Sequence, residues 1–240
     1  MRSGELGRGA RGWITARSGG SSSFPYRSLN LSLNVGDVPG NVAENRRRAA
    51  THAGLDPGQV VWMDQEHGAG VAVVAELPTG PVREVDALVT RQRGMALAVL
   101  VADCVPVLLA DGGAEVVGVA HAGRRGLVAG VVQATLAAMI SVGADPDSVT
   151  ALVGPAVGAC CYEVPVEMRD EVAAVVPETA AWTRGGTPSL DLPAGVLAVL
   201  GRAGVRRCSR LPVCTADDPA YFSHRRDGVT GRFAGYAWLT

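Results

Sequence analysis

Lysine is missing from this sequence: all 22 basic residues are arginine. That excludes a lysine Schiff base and a lysine phosphate clamp, and we read it as compositional bias. Neither charge sign is in surplus, since 23 acidic residues offset the arginines. Nothing therefore points to nucleic acid or an anionic membrane as partner. The opening MRSGELGRGARGW has no apolar run of the kind a secretory signal carries. The longest mostly apolar stretch, LVAGVVQATLAAMI at 127–140, falls short of the roughly 20 residues that span a bilayer. The expectation is a soluble cytoplasmic protein. Cysteine is sparse and odd in number, five in all and scattered. In a reducing compartment such cysteines are thiols, ligands or nucleophiles rather than disulfides.

What is present is core-forming material. Apolar residues make up 48% of 240 residues, enough for one α/β domain. Residues 1–23, with SGGSSS at 18–23, read as a flexible N-terminal tail and loop, and 24–240 as a single domain. NVAENRRRAATHAGL at 41–55 reads as a helix that Asn41 can cap and Gly54 can end. QVVWM, VAVVAE and DALVT read as strands, followed by MALAVLVA, VPVLLA and EVVGVA. Continuous apolar runs of that length suit strands covered on both faces. A buried helix follows at 127–143, then a strand at 149–158, helices at 164–176 and 192–204, and a final strand at 230–239. Strands and helices mix without strict alternation. The pattern predicts an α/β (α+β) fold, with mixed β-sheets packed in a sandwich flanked by helices.

Three reactive side chains stand at strand ends beside glycine turns: His67 in DQEHGAG, Cys104 in VADCVP and His121 in VAHAGRRG. Such places commonly carry function. Two imidazoles and a thiolate are a zinc donor set, and also suit copper. The same residues read equally as a Cys-His nucleophile pair, or Cys104 as a small buried hydrophobe. Spacings of 37 and 17 residues match no short zinc pattern, so these alternatives stay open. Asp103 is a candidate for proton handling or a strand-end cap. His52, in the last turn of the 41–55 helix, reads as structural. The pair Cys160-Cys161 reads as structural too, because neighbours on a strand point to opposite faces; so do Cys208 and Cys214. Arg124 and Arg125 in HAGRRG lie near a helix start, where an anion such as phosphate could be held.

Taken in order, NLSLNVGDVPGNVAENR, DQEHG, DALVT, VADCVPVLLAD, GVAHAGRRGLVAGVV, GPAVGACCYEVP and CTADDPAYFSHRRDGVTGRFAGYAWL resemble the YfiH/LACC1 family. That family is also known as DUF152, multicopper polyphenol oxidase (laccase), purine nucleoside phosphorylase or peptidoglycan editing factor. The likeness covers roughly residues 24–240. It implies His67, Cys104 and His121 as metal ligands, with zinc, or alternatively copper, as the cofactor. It implies phosphorolysis of adenosine, inosine, guanosine and S-methyl-5′-thioadenosine, with adenosine deamination as a companion activity. The partners are then a small purine nucleoside and phosphate, with Arg46 and Arg125 as candidates to hold the phosphate. A thiol hydrolase acting on peptidoglycan precursors and a copper-dependent polyphenol oxidase are the alternatives. The chain departs from the family pattern at Glu66, where a small or apolar residue is usual, and at Arg124, where tryptophan is usual.

Overall fold

The computed structural model describes residues 2–240, with side chains described from residue 6 onward. In chain order the elements are β1 (Arg2–Glu5), β2 (Ala10–Ile14), α1 (Pro39–His52), β3 (Val60–Val61), β4 (Val71–Val73), β5 (Ala87–Thr90), β6 (Ala96–Val101), β7 (Val105–Asp111) and β8 (Val116–Ala122). They continue with α2 (Arg124–Ala129), α3 (Val131–Ser141), β9 (Thr150–Val153), α4 (Val166–Val175), β10 (Ala180–Trp182), β11 (Pro188–Leu190), α5 (Leu192–Arg202), β12 (Arg207–Arg210), α6 (His224–Asp227) and β13 (Phe233–Leu239).

Two mixed sheets are built from them, in the orders β1-β2-β13-β6-β3 and β12-β9-β7-β8-β5-β4, with β10-β11 as a separate hairpin. The period of two along β7 explains how the sheets stack. Leu108 and Ala110 face the first sheet and pack with Ile14, Leu97, Val99 and Phe233. Val107 and Leu109 face the other way, into a layer with Val131, Leu136, Val196 and Leu200 from α3 and α5. Both faces of β7 are therefore apolar and buried, which is why its sequence is a continuous hydrophobic run. The outer face of the first sheet is covered by α1, where Ala49 and Ala50 meet Trp13 and Tyr236. The expected sandwich of mixed sheets flanked by helices is the fold observed. No described helix is long and apolar enough to cross a membrane.

Some expectations are corrected. The proposed flexible tail contains β1 and β2, and β2 lies between β1 and β13 in the first sheet. Gly12 is there for space, not mobility: a Cβ on it would come within 3.0 Å of Leu6 and 3.2 Å of Leu108. The helix expected at 127–143 is two helices, divided at Gly130, whose φ of 88° only glycine adopts easily. Pro39 starts α1 and its cap position is Val38, so Asn41 is not the cap. His52 stacks on Trp13 at 5.6 Å, the structural role expected of it.

Candidate functional site

The site forms where strand ends of the two sheets meet. His121 lies in β8 on the same side as Val117 and Val119, the side turned to the other sheet. Cys104 immediately precedes β7, whose Pro106 pairs with His121 in the β7–β8 ladder. His67 stands in the turn before β4 with φ of 62°, a left-handed conformation that costs a β-carbon residue energy. The ligand atoms of His67, Cys104 and His121 all lie within 4.8 Å of one another. The two imidazoles meet edge to face with centroids 4.6 Å apart. Space is tight at Gly123: a Cβ there would approach Cys104 Sγ to 3.0 Å and His67 Cδ2 to 3.1 Å.

One buried carboxylate organises two of these three residues. Asp86, just before β5, accepts backbone N–H bonds from Glu66 at 3.2 Å, His67 at 2.9 Å and Gly68 at 2.7 Å. Its Oδ1 also lies 2.7 Å from His121 Nδ1. The same group thus holds the strained His67 turn and fixes the His121 ring, leaving Nε2 of His121 as the nitrogen free to act as a ligand. Burial alone would raise the Asp86 carboxyl, but His121 and the amides of Gly68 and Glu66 bring it below its usual value, so it is ionised. Burial would likewise raise the Cys104 thiol and lower the His121 imidazole. Their attraction for one another, helped by His67 and Asp86, reverses both shifts. Without a metal, the pair is a thiolate facing an imidazolium.

The triad opens into a cavity of about 530 Å³, large enough for a nucleoside-sized ligand. Its walls include Asn34, Met63, Gln65, Tyr162, His224, Arg225 and Arg232. Gln65 is a fixed wall, since its amide exchanges two hydrogen bonds with the Leu100 backbone at 2.7 and 2.8 Å. Arg232 donates to the carbonyls of Thr230 and Gly231. Among the described residues no carboxylate lies within ion-pair distance of it. Burial lowers its guanidinium below its usual value, partly offset by Cys104 and Asp103. Arg225 is fixed through its backbone amide, 2.6 Å from Asp103 Oδ2, and its guanidinium lies 5.1 Å from the Tyr162 ring.

Asp103 lines the cavity with φ of 88°, and each carboxylate oxygen has a partner: Oδ1 accepts from Thr215 Oγ1 at 2.6 Å and Oδ2 from the Arg225 amide. It ties the C-terminal segment to the Cys104 turn. The two arginines expected at the phosphate do not line this cavity. Arg46 lays its guanidinium 3.9 Å over Trp62 and donates to the Leu31 carbonyl, away from the cavity lining. Arg125 is exposed in the first turn of α2 and does not line the cavity either. Arg124 is half-buried, and its positive charge acts on the Tyr162 hydroxyl at the wall. Asp86 and Arg232 were not singled out in the sequence. Asp86 looked there like any aspartate opening a strand, and Arg232 like one arginine among many.

A second cluster corrects the reading of Cys160 and Cys161. They lie in a turn, not a strand, so both thiols point the same way and sit 3.1 Å apart beside Cys214 and Asp217.

Residues 11–240 match the family model described as multi-copper polyphenol oxidoreductase laccase. A purine nucleoside phosphorylase of Streptomyces coelicolor is 58% identical, covering 96% of this chain and 96% of that protein. The purine nucleoside phosphorylase YfiH of Escherichia coli is 37% identical, covering 97% and 95%. Among solved structures, YlmD from Geobacillus stearothermophilus superposes with a TM-score of 0.90 at 33% identity, covering 97% of this chain and 92% of that one.

Proposed function

The chain belongs to the multi-copper polyphenol oxidoreductase laccase family, and from that premise we propose that it is a zinc-dependent purine nucleoside phosphorylase. It takes adenosine, inosine, guanosine and S-methyl-5′-thioadenosine with phosphate, and it also deaminates adenosine to inosine. The relatives' shared name supports the reaction class. The observation that carries the reading is the convergence of His67, Cys104 and His121 on a nucleoside-sized cavity that also presents Arg225 and Arg232.

The donor set fits a metal ion. It comprises two imidazoles and a thiolate, one imidazole is fixed through its other nitrogen by a buried carboxylate, and a glycine keeps the space before them open. Three protein ligands leave a position for substrate. When bound, zinc would supply Lewis acidity toward an oxygen nucleophile without redox chemistry. Copper takes the same donors, but a group transfer needs no electron carrier.

In phosphorolysis a phosphate oxygen forms a bond to ribose C1′ while the bond from C1′ to the purine nitrogen breaks. The electron pair leaves with the base, which then takes up a proton. Arg232 and Arg225 hold the phosphate dianion, and a poorly solvated guanidinium without a carboxylate partner suits that role. Asp86 keeps His121 in its ligating tautomer, and Asp103 holds Arg225 by the backbone. In deamination water replaces the amino group at purine C6 and ammonia leaves.

The test is to incubate the purified protein with adenosine and phosphate and resolve the products. Ribose 1-phosphate equal to adenine and hypoxanthine together, with inosine as a further product, supports the reading; no ribose 1-phosphate, free base or inosine from zinc-loaded protein overturns it. The thiolate facing His121 favours one other reading, a Cys-His hydrolase acting on peptidoglycan precursors with Cys104 as nucleophile. That reading predicts turnover that survives metal removal.

A further inference from the structure

We propose that Cys160, Cys161, Cys214 and Asp217 form a second metal site, separate from the His67–Cys104–His121 cluster, and that it is a closed structural site for zinc. One ligand atom from each of the four lies within 4.8 Å of the other three. Three thiolates and a carboxylate are thiophilic, tetrahedral zinc chemistry. Sulfurs at ~2.3 Å from one zinc stand about 3.8 Å apart, a spacing these atoms reach with small side-chain rotations.

The backbone assembles the set from two distant segments. The amides of Cys161 and Tyr162 both donate to the Gly158 carbonyl, forming the tight turn that turns both neighbouring thiols to one side. Cys214 is brought alongside by the bridge between Ala156 and Cys214 and by the Thr215 amide, which donates to the Ala156 carbonyl at 3.0 Å. Asp217 lies one turn on, its amide bonded to the Cys214 carbonyl, with Oδ1 3.3 Å from Cys161 Sγ and Oδ2 3.7 Å from Cys160 Sγ.

Two further contacts surround the cluster as outer contacts surround a metal site. The Gly158 amide donates to Cys214 Sγ at 3.2 Å, which orients that sulfur toward the cluster. Arg184 reaches Asp217 with both terminal nitrogens, fixing the carboxylate and offsetting the excess negative charge of three thiolates and a carboxylate. A disulfide between Cys160 and Cys161 would leave Cys214, Asp217 and Arg184 without a shared purpose; a zinc ion uses all of them. All four ligands come from the protein, so no position is open for substrate and the role is structural.

What the ion fixes is a wall of the cavity. Val157 and Tyr162 flank the 158–161 turn and line the cavity, while Thr215, next to Cys214, donates to Asp103 beside Cys104. Zinc here clasps the 158–162 turn to the 214–218 segment and ties both to the triad through Asp103.

The test is zinc stoichiometry on reduced, metal-stripped protein, by native mass spectrometry after adding zinc. Cys104→Ala, which touches only the first cluster, is expected to retain one equivalent, and Cys104→Ala/Cys214→Ser to lose it. Asp217→Asn, which keeps every thiol and the local shape, is expected to bind that equivalent more weakly. Cobalt(II) is the second probe. The ion lost on Cys214→Ser should carry thiolate-to-cobalt absorption in proportion to three thiolates, and the ion lost on Cys104→Ala in proportion to one. The proposal is overturned if folded Cys104→Ala binds no zinc, or if Cys214→Ser binds as much as the unsubstituted chain. It is also overturned if Cys160 and Cys161 are recovered as a disulfide that forms even with zinc present. Failure of the first cluster would appear instead as Cys104→Ala binding no less zinc than the unsubstituted chain, so the two readings fail in different measurements.

Discussion

Asp86 and His121 are joined by a 2.7 Å hydrogen bond between carboxylate Oδ1 and ring Nδ1, with side chains only 1% and 3% exposed. The same carboxylate holds the turn that presents His67, so it couples two of the three proposed ligands. Asp86→Asn keeps the shape but removes the anion and half of the acceptor capacity. Zinc affinity is expected to fall about 10- to 100-fold with the circular dichroism spectrum unchanged. Unaltered affinity in a competition titration would show that Asp86 serves only the fold.

Cys104 should declare its neighbours through its pH response. In metal-free protein, burial alone would raise the thiol, but His121 and His67 bring it down to about 6. A depressed value means that thiolate appears as pH rises through about 6, not through the usual ~8.5. Peptide-resolved iodoacetamide labelling of stripped protein should therefore reach half its maximum rate at Cys104 near pH 6. His121→Ala should move that midpoint upward. A midpoint in the ordinary thiol range in the unsubstituted chain would contradict the ion-pair geometry.

Arg232 and Arg46 are both partly buried arginines, but only Arg232 lines the cavity. Loss of a charge-assisted contact costs ~1.5–3 kcal/mol, so Arg232→Ala should raise the KM for phosphate by roughly tenfold or more. Arg46→Ala should leave that KM alone and lower the melting temperature, since it removes the guanidinium from the face of Trp62. Steady-state kinetics at varied phosphate decides, and equal KM changes in the two variants would refute the assignment.

Gly123 has space for a hydrogen and little more. In Gly123→Ala the methyl group would press on Cys104 Sγ and His67 Cδ2, so zinc affinity and turnover should fall together while the protein stays folded. Full zinc occupancy in this variant, measured by elemental analysis, would mean that the triad is looser than its geometry implies.

The strands that build the site were legible because they are buried on both faces: β6, β7 and β8 stand out as uninterrupted apolar runs. Strand-end positions made His67, Cys104 and His121 visible as candidates, though spacing alone left a metal site and a nucleophile pair unresolved. Long-range pairing was not legible. Asp86 meets His67 and His121 only because β5 lies beside β8, 35 residues away in sequence from Asp86 to His121. Strand β2 was hidden because Gly12 and Arg11 have loop-like composition, although glycine there answers to close packing between sheets. Cys160 and Cys161 were misread because the alternation of a strand was applied to what is a turn, and the turn decides which way the thiols face.

The proposed chemistry depends above all on one metal shared by His67, Cys104 and His121. The most direct measurement follows ribose 1-phosphate formation from adenosine and phosphate as the protein is stripped of metal and zinc is then returned. Turnover should vanish on stripping and recover with zinc in the unsubstituted chain, and should not recover in His67→Ala, Cys104→Ala or His121→Ala, because two ligands cannot hold the open tetrahedral site. Turnover that persists in stripped protein, or His67→Ala working at the full rate while Cys104→Ala is inactive, would contradict the shared metal and leave the Cys104–His121 pair as the reactive unit.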